Sequence, residues 1–288
     1  MSSSALELVS EHACFGGVQR YYQHASSVIG LPMRFSVFLP PQAQQGAVPA
    51  VMYLAGLTCN EETFMAKGGA QCVAAQLGLA LIAPDTSPRG AGVPGEAESW
   101  DFGVGAGFYL DATQTAWAPH YRMESYLLRE LLPLVGVSLP VDVQRLGLFG
   151  HSMGGHGALT LALRHPLRFT SLSAFAPICA PSQCPWGHKA FAGYLGEDRE
   201  ACDLVVTAAS YGLDHTGMSV YVLNMGQPVK IVDLAERMIR LSGLEPGRDI
   251  DIAFTGIDVL CGWVAYRLER REKHYPAMLL VAQRFVYR

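Results

Sequence analysis

Residues 146–157 read Leu-Gly-Leu-Phe-Gly-His-Ser-Met-Gly-Gly-His-Gly, and they constrain the chain more than any other stretch. The apolar run Leu146 to Phe149 reads as a short buried strand. Ala158, Leu159, Leu161, Ala162 and Leu163 read as helix, with Arg164 and His165 in its last turn and Pro166 as its stop. Between them stands Gly150-x-Ser152-x-Gly154, the nucleophile-elbow pattern. It puts a serine on a sharp strand-to-helix turn, and the glycines let backbones approach closely. A bare G-x-S-x-G arises by chance in about one chain in ten of this length. The weight comes from the order strand, glycine turn, helix.

The remainder fits the same kind of fold. Residues 34–39 alternate like a half-buried strand and end at Pro40-Pro41. Residues 50–55 form a continuous apolar strand, followed by the loop Gly56 to Asn60 and a helix over about 62–77. Leu79 to Ala83 is the next strand. Strand–helix–strand alternation predicts a parallel sheet with helices on both faces. Residues 86–119 are rich in Gly, Pro and aromatics without periodicity, and a loop of that length usually covers a site or has a function. Residues 120–135 read as a helix with Tyr121, Tyr126, Leu127, Leu131 and Leu134 on its apolar side. Phe169 to Ala176 reads as a strand.

Bulk numbers narrow the function. At 288 residues, half of them hydrophobic, the chain can bury a sizeable core. The net charge of −4 makes no electrostatic case for nucleic acid or an anionic membrane. No apolar run approaches the ~18 residues that span a bilayer. The N-terminus lacks the basic flank and apolar core of a secretory signal. Seven scattered cysteines, with no Cys-x-x-Cys pair, indicate neither a disulfide framework nor a zinc site. The expectation is a reduced cytoplasmic protein without metal or cofactor.

Over residues 12–201 the chain resembles the S-formylglutathione hydrolases, the esterase D group of α/β-hydrolases. The stretches that carry the likeness are LAGLTCNEETFMAKGGAQ at 54–71, APDTSPRGAGV at 83–93, WDFGVGAGFYLDATQ at 100–114, HYRMESYLLREL at 120–131 and GHSMGGHGALTLALRHP at 150–166. A further one is SAFAPICAPSQCPWGHKAFAGYLG at 173–196. The resemblance implies an α/β-hydrolase fold and hydrolysis of S-formylglutathione to glutathione and formate, with side activity on small esters. It implies Ser152 as nucleophile and the backbone amides of Leu57 and Met153 as oxyanion hole. Homodimers are common among such enzymes.

Other residues carry two readings each. Cys59, beside the oxyanion loop, modulates thiol sensitivity or is simply a small buried hydrophobe. Trp186 lines the acyl or thiol pocket or is a packed aromatic. Lys67 and Lys189 meet glutathione carboxylates or are solvated. His151 and His156 flank the serine but, on an elbow, point away from its hydroxyl and read as structural polar contacts.

The resemblance stops near residue 201. The order expected is Ser, then Asp or Glu, then His, and neither partner is recognisable, so the triad acid and base are unassigned. Residues 203–257 resemble the C-terminal part of polysaccharide-biosynthesis nucleotide-sugar dehydratases and epimerases, without any dinucleotide loop. They read as strand (Ser219 to Leu223), helix (Ile231 to Leu241) and strand (Ile250 to Phe254), which could fill the vacant sheet positions. Residues 258–288 match nothing recognisable. The expected division is therefore 1–201 hydrolase core, 202–257 foreign segment and 258–288 tail. His215 and His274 are the only histidines beyond 201. Losing the triad histidine costs about 10⁶ in turnover, so the rival expectation is an impaired fusion or truncation product. A nucleotide-sugar enzyme is the third.

Overall fold

A computed structural model describes residues 6–165, 167–178, 181 and 185–196, together with the backbone of strands at 250–258, 263–270 and 279–282. Seven strands form one sheet: β1 (Glu7–Cys14), β2 (Gly17–Ala25), β3 (Pro32–Leu39), β4 (Val48–Leu54), β5 (Ala80–Pro84), β6 (Val141–His151) and β7 (Ser171–Phe175). Their order is β1-β2-β3-β5-β4-β6-β7. The first four in that order pair antiparallel. From β5 through β4 and β6 to β7 the pairing is parallel. The sheet is thus mixed, and its parallel half carries the elbow.

The helices are α1 (Glu61–Lys67), α2 (Gln71–Leu77), α3 (Met123–Ser125), α4 (Leu132–Ser138), α5 (Met153–Arg164) and α6 (Pro185–Leu195). A π-helical stretch, Tyr126–Leu131, joins α3 to α4. Side chains alternate across β3 and β5. Phe38, Leu81 and Ala83 pack with Met65 of α1 and Ala74 of α2 on one face. Val37 and Ile82 join the larger core on the other, which includes Ala158 and Leu161 of α5. Both faces are covered, as a sheet with apolar residues on both sides requires.

Local sequence explains most boundaries. Asn60 caps α1 by accepting from the Glu62 amide at 3.2 Å, and Thr63 Oγ1 accepts from the Asn60 amide. Such a cap contributes about 1 kcal/mol. Gly68 and Gly69 break the helix expected over 62–77 into α1 and α2. The helix expected from residue 120 starts at Met123; Tyr121 precedes it and is buried nonetheless. Strands β1 and β2 are elements the sequence reading did not assign.

Residues 250–258 are a strand, as expected for Ile250 to Phe254. That strand, β8 (Ile250–Asp258), pairs antiparallel with β9 (Trp263–Arg270), which pairs with β10 (Leu279–Ala282). The three form a sheet of their own. Among the described residues β8 pairs with β9, in a sheet separate from the seven hydrolase strands. The expected strand Ser219 to Leu223 and helix Ile231 to Leu241 lie outside the described residues, as do His215 and His274.

Candidate active site

Ser152 stands between β6 and α5 with φ 58° and ψ −119°, a sparsely populated conformation for a residue with a side chain. Its amide donates to Phe175 O at 2.9 Å, and its carbonyl accepts from the His156 amide at 3.0 Å and the Ile178 amide at 3.3 Å. The strain is held by the end of β7 and the first turn of α5. The two motif glycines are sterically compulsory. A methyl group on Gly150 would lie 2.1 Å from Gly154 O, and one on Gly154 would lie 1.9 Å from Leu54 O.

The loop after β4 faces the serine because β4 and β6 are paired neighbours with Leu54 opposite Gly150. Two residues further along each chain come Gly56 and Ser152. A Cβ on Gly56 would stand 3.4 Å from Ser152 Cβ. Leu57 follows in this loop, half-buried, and Met153 is the first residue of α5, fully buried. The first amide of a helix has no partner within that helix. Both predicted oxyanion donors therefore flank the elbow.

The loop is braced from several directions. Tyr109 Oη donates to Ala55 O at 2.8 Å. The Thr58 amide, at φ 67°, donates to Gly105 O at 2.9 Å. Cys59 O accepts from Thr86 Oγ1 at 2.6 Å and from Arg89 Nη2 at 3.2 Å. These braces come from residues 86–109, within the long segment the sequence marks as functional. Its interior is core: Ala106, Phe108, Tyr109 and Leu110 are all buried. Tyr194 Oη accepts from the Gly103 amide at 2.8 Å and donates to Ala106 O at 3.0 Å, tying the segment to α6.

The remaining candidates fall as follows. Cys59 is half-buried beside the loop. Burial pushes the neighbouring Tyr53 hydroxyl up to about 12, with Cys59 adding to the shift. Trp186, on α6, packs against the core and faces Trp100 at 6.5 Å between ring centroids. Lys189 is exposed, as the solvated reading expects, and its ammonium is engaged within the protein: it donates to Asp101 at 2.8 Å and to Ser99. Burial raises the Asp101 carboxyl, but the hydrogen bonds from Lys189 and Ser99 outweigh it and hold the group below the usual range. Lys67 is exposed. His156 is buried, with Nδ1 3.0 Å from Ile178 O, and so buttresses the elbow. The sequence reading assigned no role to Tyr109, Thr86 or Arg89. The stretches APDTSPRGAGV and WDFGVGAGFYLDATQ were the only signal for them.

Among the described residues, no helix is long and apolar enough to cross a membrane. A family described as putative esterase matches residues 26–253. That match runs through most of 203–257, and the likeness of this stretch to dehydratases and epimerases gains no support. The mouse S-formylglutathione hydrolase is 55% identical over 194 residues, 67% of this chain and 69% of that protein. The Paracoccus denitrificans S-formylglutathione hydrolase is 54% identical over 197 residues, 68% of this chain and 70% of that protein. The solved S-formylglutathione hydrolase of Agrobacterium tumefaciens superposes with a TM-score of 0.69 at 46% identity, covering 71% of this chain and 75% of that one. The chain belongs to the putative esterase family, has the α/β-hydrolase fold and is homologous to the S-formylglutathione hydrolases.

Proposed function

We propose that this chain is a serine hydrolase that cleaves S-formylglutathione to glutathione and formate, with small carboxylic esters as side substrates. The observation that carries the reading is Ser152 held at φ 58° on the β6–α5 turn. It stands in a chain that is 55% identical to the mouse S-formylglutathione hydrolase over 194 residues.

In this reading Ser152 Oγ attacks the formyl carbonyl while a base takes its proton. The amides of Leu57 and Met153 donate to the oxyanion, each contributing on the order of 3 kcal/mol. The C–S bond then breaks, the glutathione sulfur leaves and takes up a proton, and a formyl ester remains on Ser152. Water hydrolyses that ester to formate. Cys59 and Trp186 border the pocket. Residues 1–201 form the hydrolase core that carries the nucleophile and the oxyanion donors, followed by 202–257 and 258–288, and the working form is a cytoplasmic homodimer. The proton acceptor is sought in His215 and His274.

A fluorophosphonate probe tests the reading. Labelling of wild type but not of Ser152→Ala, with Ser152-dependent loss of the thioester absorbance of S-formylglutathione, is the expected result. Folded wild type that takes no label overturns it. His215→Ala and His274→Ala then identify the base by which of them abolishes labelling.

A further inference from the structure

The Gly56–Leu57 peptide is the unit that aims the Leu57 N–H. A trans peptide is planar, so its carbonyl and its N–H point in opposite directions. Whatever fixes Gly56 O therefore fixes the line of the Leu57 N–H. Gly56 O accepts from the Cys59 amide at 3.3 Å. Cys59 is in turn held by its own carbonyl, through Thr86 Oγ1 at 2.6 Å and Arg89 Nη2 at 3.2 Å.

Arg89 is itself locked. It forks onto Asp85, with Nε 2.6 Å from Oδ2 and Nη2 2.8 Å from Oδ1. Asp85 follows directly on β5 and is 3% exposed. Its amide donates to Arg34 O of β3 at 3.1 Å, and its Oδ1 accepts from the Thr86 amide at 2.7 Å. A continuous line of contacts thus runs from the central sheet through Asp85, Arg89 and Cys59 to Gly56. Arg89 and Thr86 hold the Cys59–Asn60 peptide and reach Gly56 O through the Cys59 residue, whose own N–H makes the contact. The other braces hold the peptides on either side of Gly56–Leu57. Tyr109 takes the carbonyl of the Ala55–Gly56 peptide, and Gly105 takes the N–H of the Leu57–Thr58 peptide. Among the described residues, the Cys59 bridge is the contact made with the Gly56–Leu57 peptide itself.

We propose that Arg89, fixed by Asp85 and assisted by Thr86, is a positioning residue that aims the Leu57 N–H at the oxyanion; this rests on the serine-hydrolase reading above. Only a guanidinium suits the task, because one planar group must grip a carboxylate with two nitrogens and still reach a carbonyl. The oxyanion forms after the ground state, so misaiming the donor lowers kcat and leaves substrate binding nearly intact.

The test compares Arg89→Ala, Arg89→Lys and Thr86→Val with wild type on S-formylglutathione and p-nitrophenyl acetate. Arg89→Ala is expected to lose about 10- to 100-fold in kcat, with KM changing less than about threefold. Arg89→Lys is expected to recover little of the loss. Guanidinium at tens of millimolar is expected to restore part of the Arg89→Ala turnover, and ammonium none. Wild-type kcat in folded Arg89→Ala, a loss confined to KM, or equal rescue by both cations overturns the positioning role and leaves the hydrolase reading standing. Wild type without Ser152-dependent turnover overturns that reading and this one with it. Should Arg89→Ala not fold, Thr86→Val removes one donor from the same carbonyl. A drop in its kcat at unchanged KM supports the role, and an unchanged kcat overturns it.

Discussion

Gly154 lies so close to Leu54 that a β-carbon on it would sit 1.9 Å from the Leu54 carbonyl oxygen and 2.3 Å from its carbon. Both neighbouring atoms are backbone, so no rotamer change relieves the clash. Gly154→Ala must push α5 away from β4, and the elbow moves with it. Overpacking costs typically 1–3 kcal/mol, and a clash between main chains belongs at the top of that range. The expected result is destabilisation of about 3 kcal/mol, seen in urea unfolding. Loss of Ser152 labelling by about 100-fold is expected to accompany it, since a small misplacement of a reacting group is that costly.

Ser152 carries strain that a glycine would relieve. Its φ of 58° with ψ −119° is held by contacts from Phe175, His156 and Ile178. Alanine at this position keeps the strain and loses the hydroxyl, whereas glycine loses both. Strain of this kind costs about 1–3 kcal/mol, partly offset by the greater freedom of glycine in the unfolded chain. Ser152→Gly is therefore expected to be more stable than Ser152→Ala by about 1 kcal/mol, while both are inactive. Equal midpoints in parallel urea titrations would show that the elbow is not strained.

Glu61 gives a pH-dependent prediction. Its carboxyl is buried, and burial first, then the nearby Asp85, raises it above the ordinary carboxylate range. A raised acid binds its proton more tightly folded than unfolded. Its contribution is intact below the unfolded value near 4.3 and is lost as pH rises through the folded one. Glu61→Gln removes that loss. The variant is expected to raise the melting temperature at pH 8 and to raise it less, or not at all, at pH 4. The reverse pattern would mean that the charged form is the one the fold favours.

The elbow was legible because all its determinants are local. Leu146 to Phe149, the motif glycines and the run from Ala158 to Leu163 are contiguous, and the chain folds them as strand, turn and helix. Loop placement after β4 was legible for the same reason. Strand β1 was not, because as an edge strand it is mostly exposed, and ELVSEHAC shows no alternation of apolar and polar residues. The start of the helix near residue 120 was misread because Tyr121 is buried by Trp117 and Tyr194 rather than by a helical face. The roles of Tyr109, Thr86 and Arg89 were invisible for a stronger reason. Each acts on a carbonyl at least 27 positions away in the chain, and only tertiary closure brings them there.

Strands β4 and β6 are immediate neighbours, and each delivers one side of the reaction centre two residues past its last paired position. The gap between the attacking oxygen and the facing loop is thus gauged by the spacing of adjacent strands, about 4.8 Å. Inter-strand spacing is among the least adjustable dimensions in a folded chain. Lengthening or exchanging peripheral segments can retune which acyl groups enter, yet the bite of the jaws stays constant.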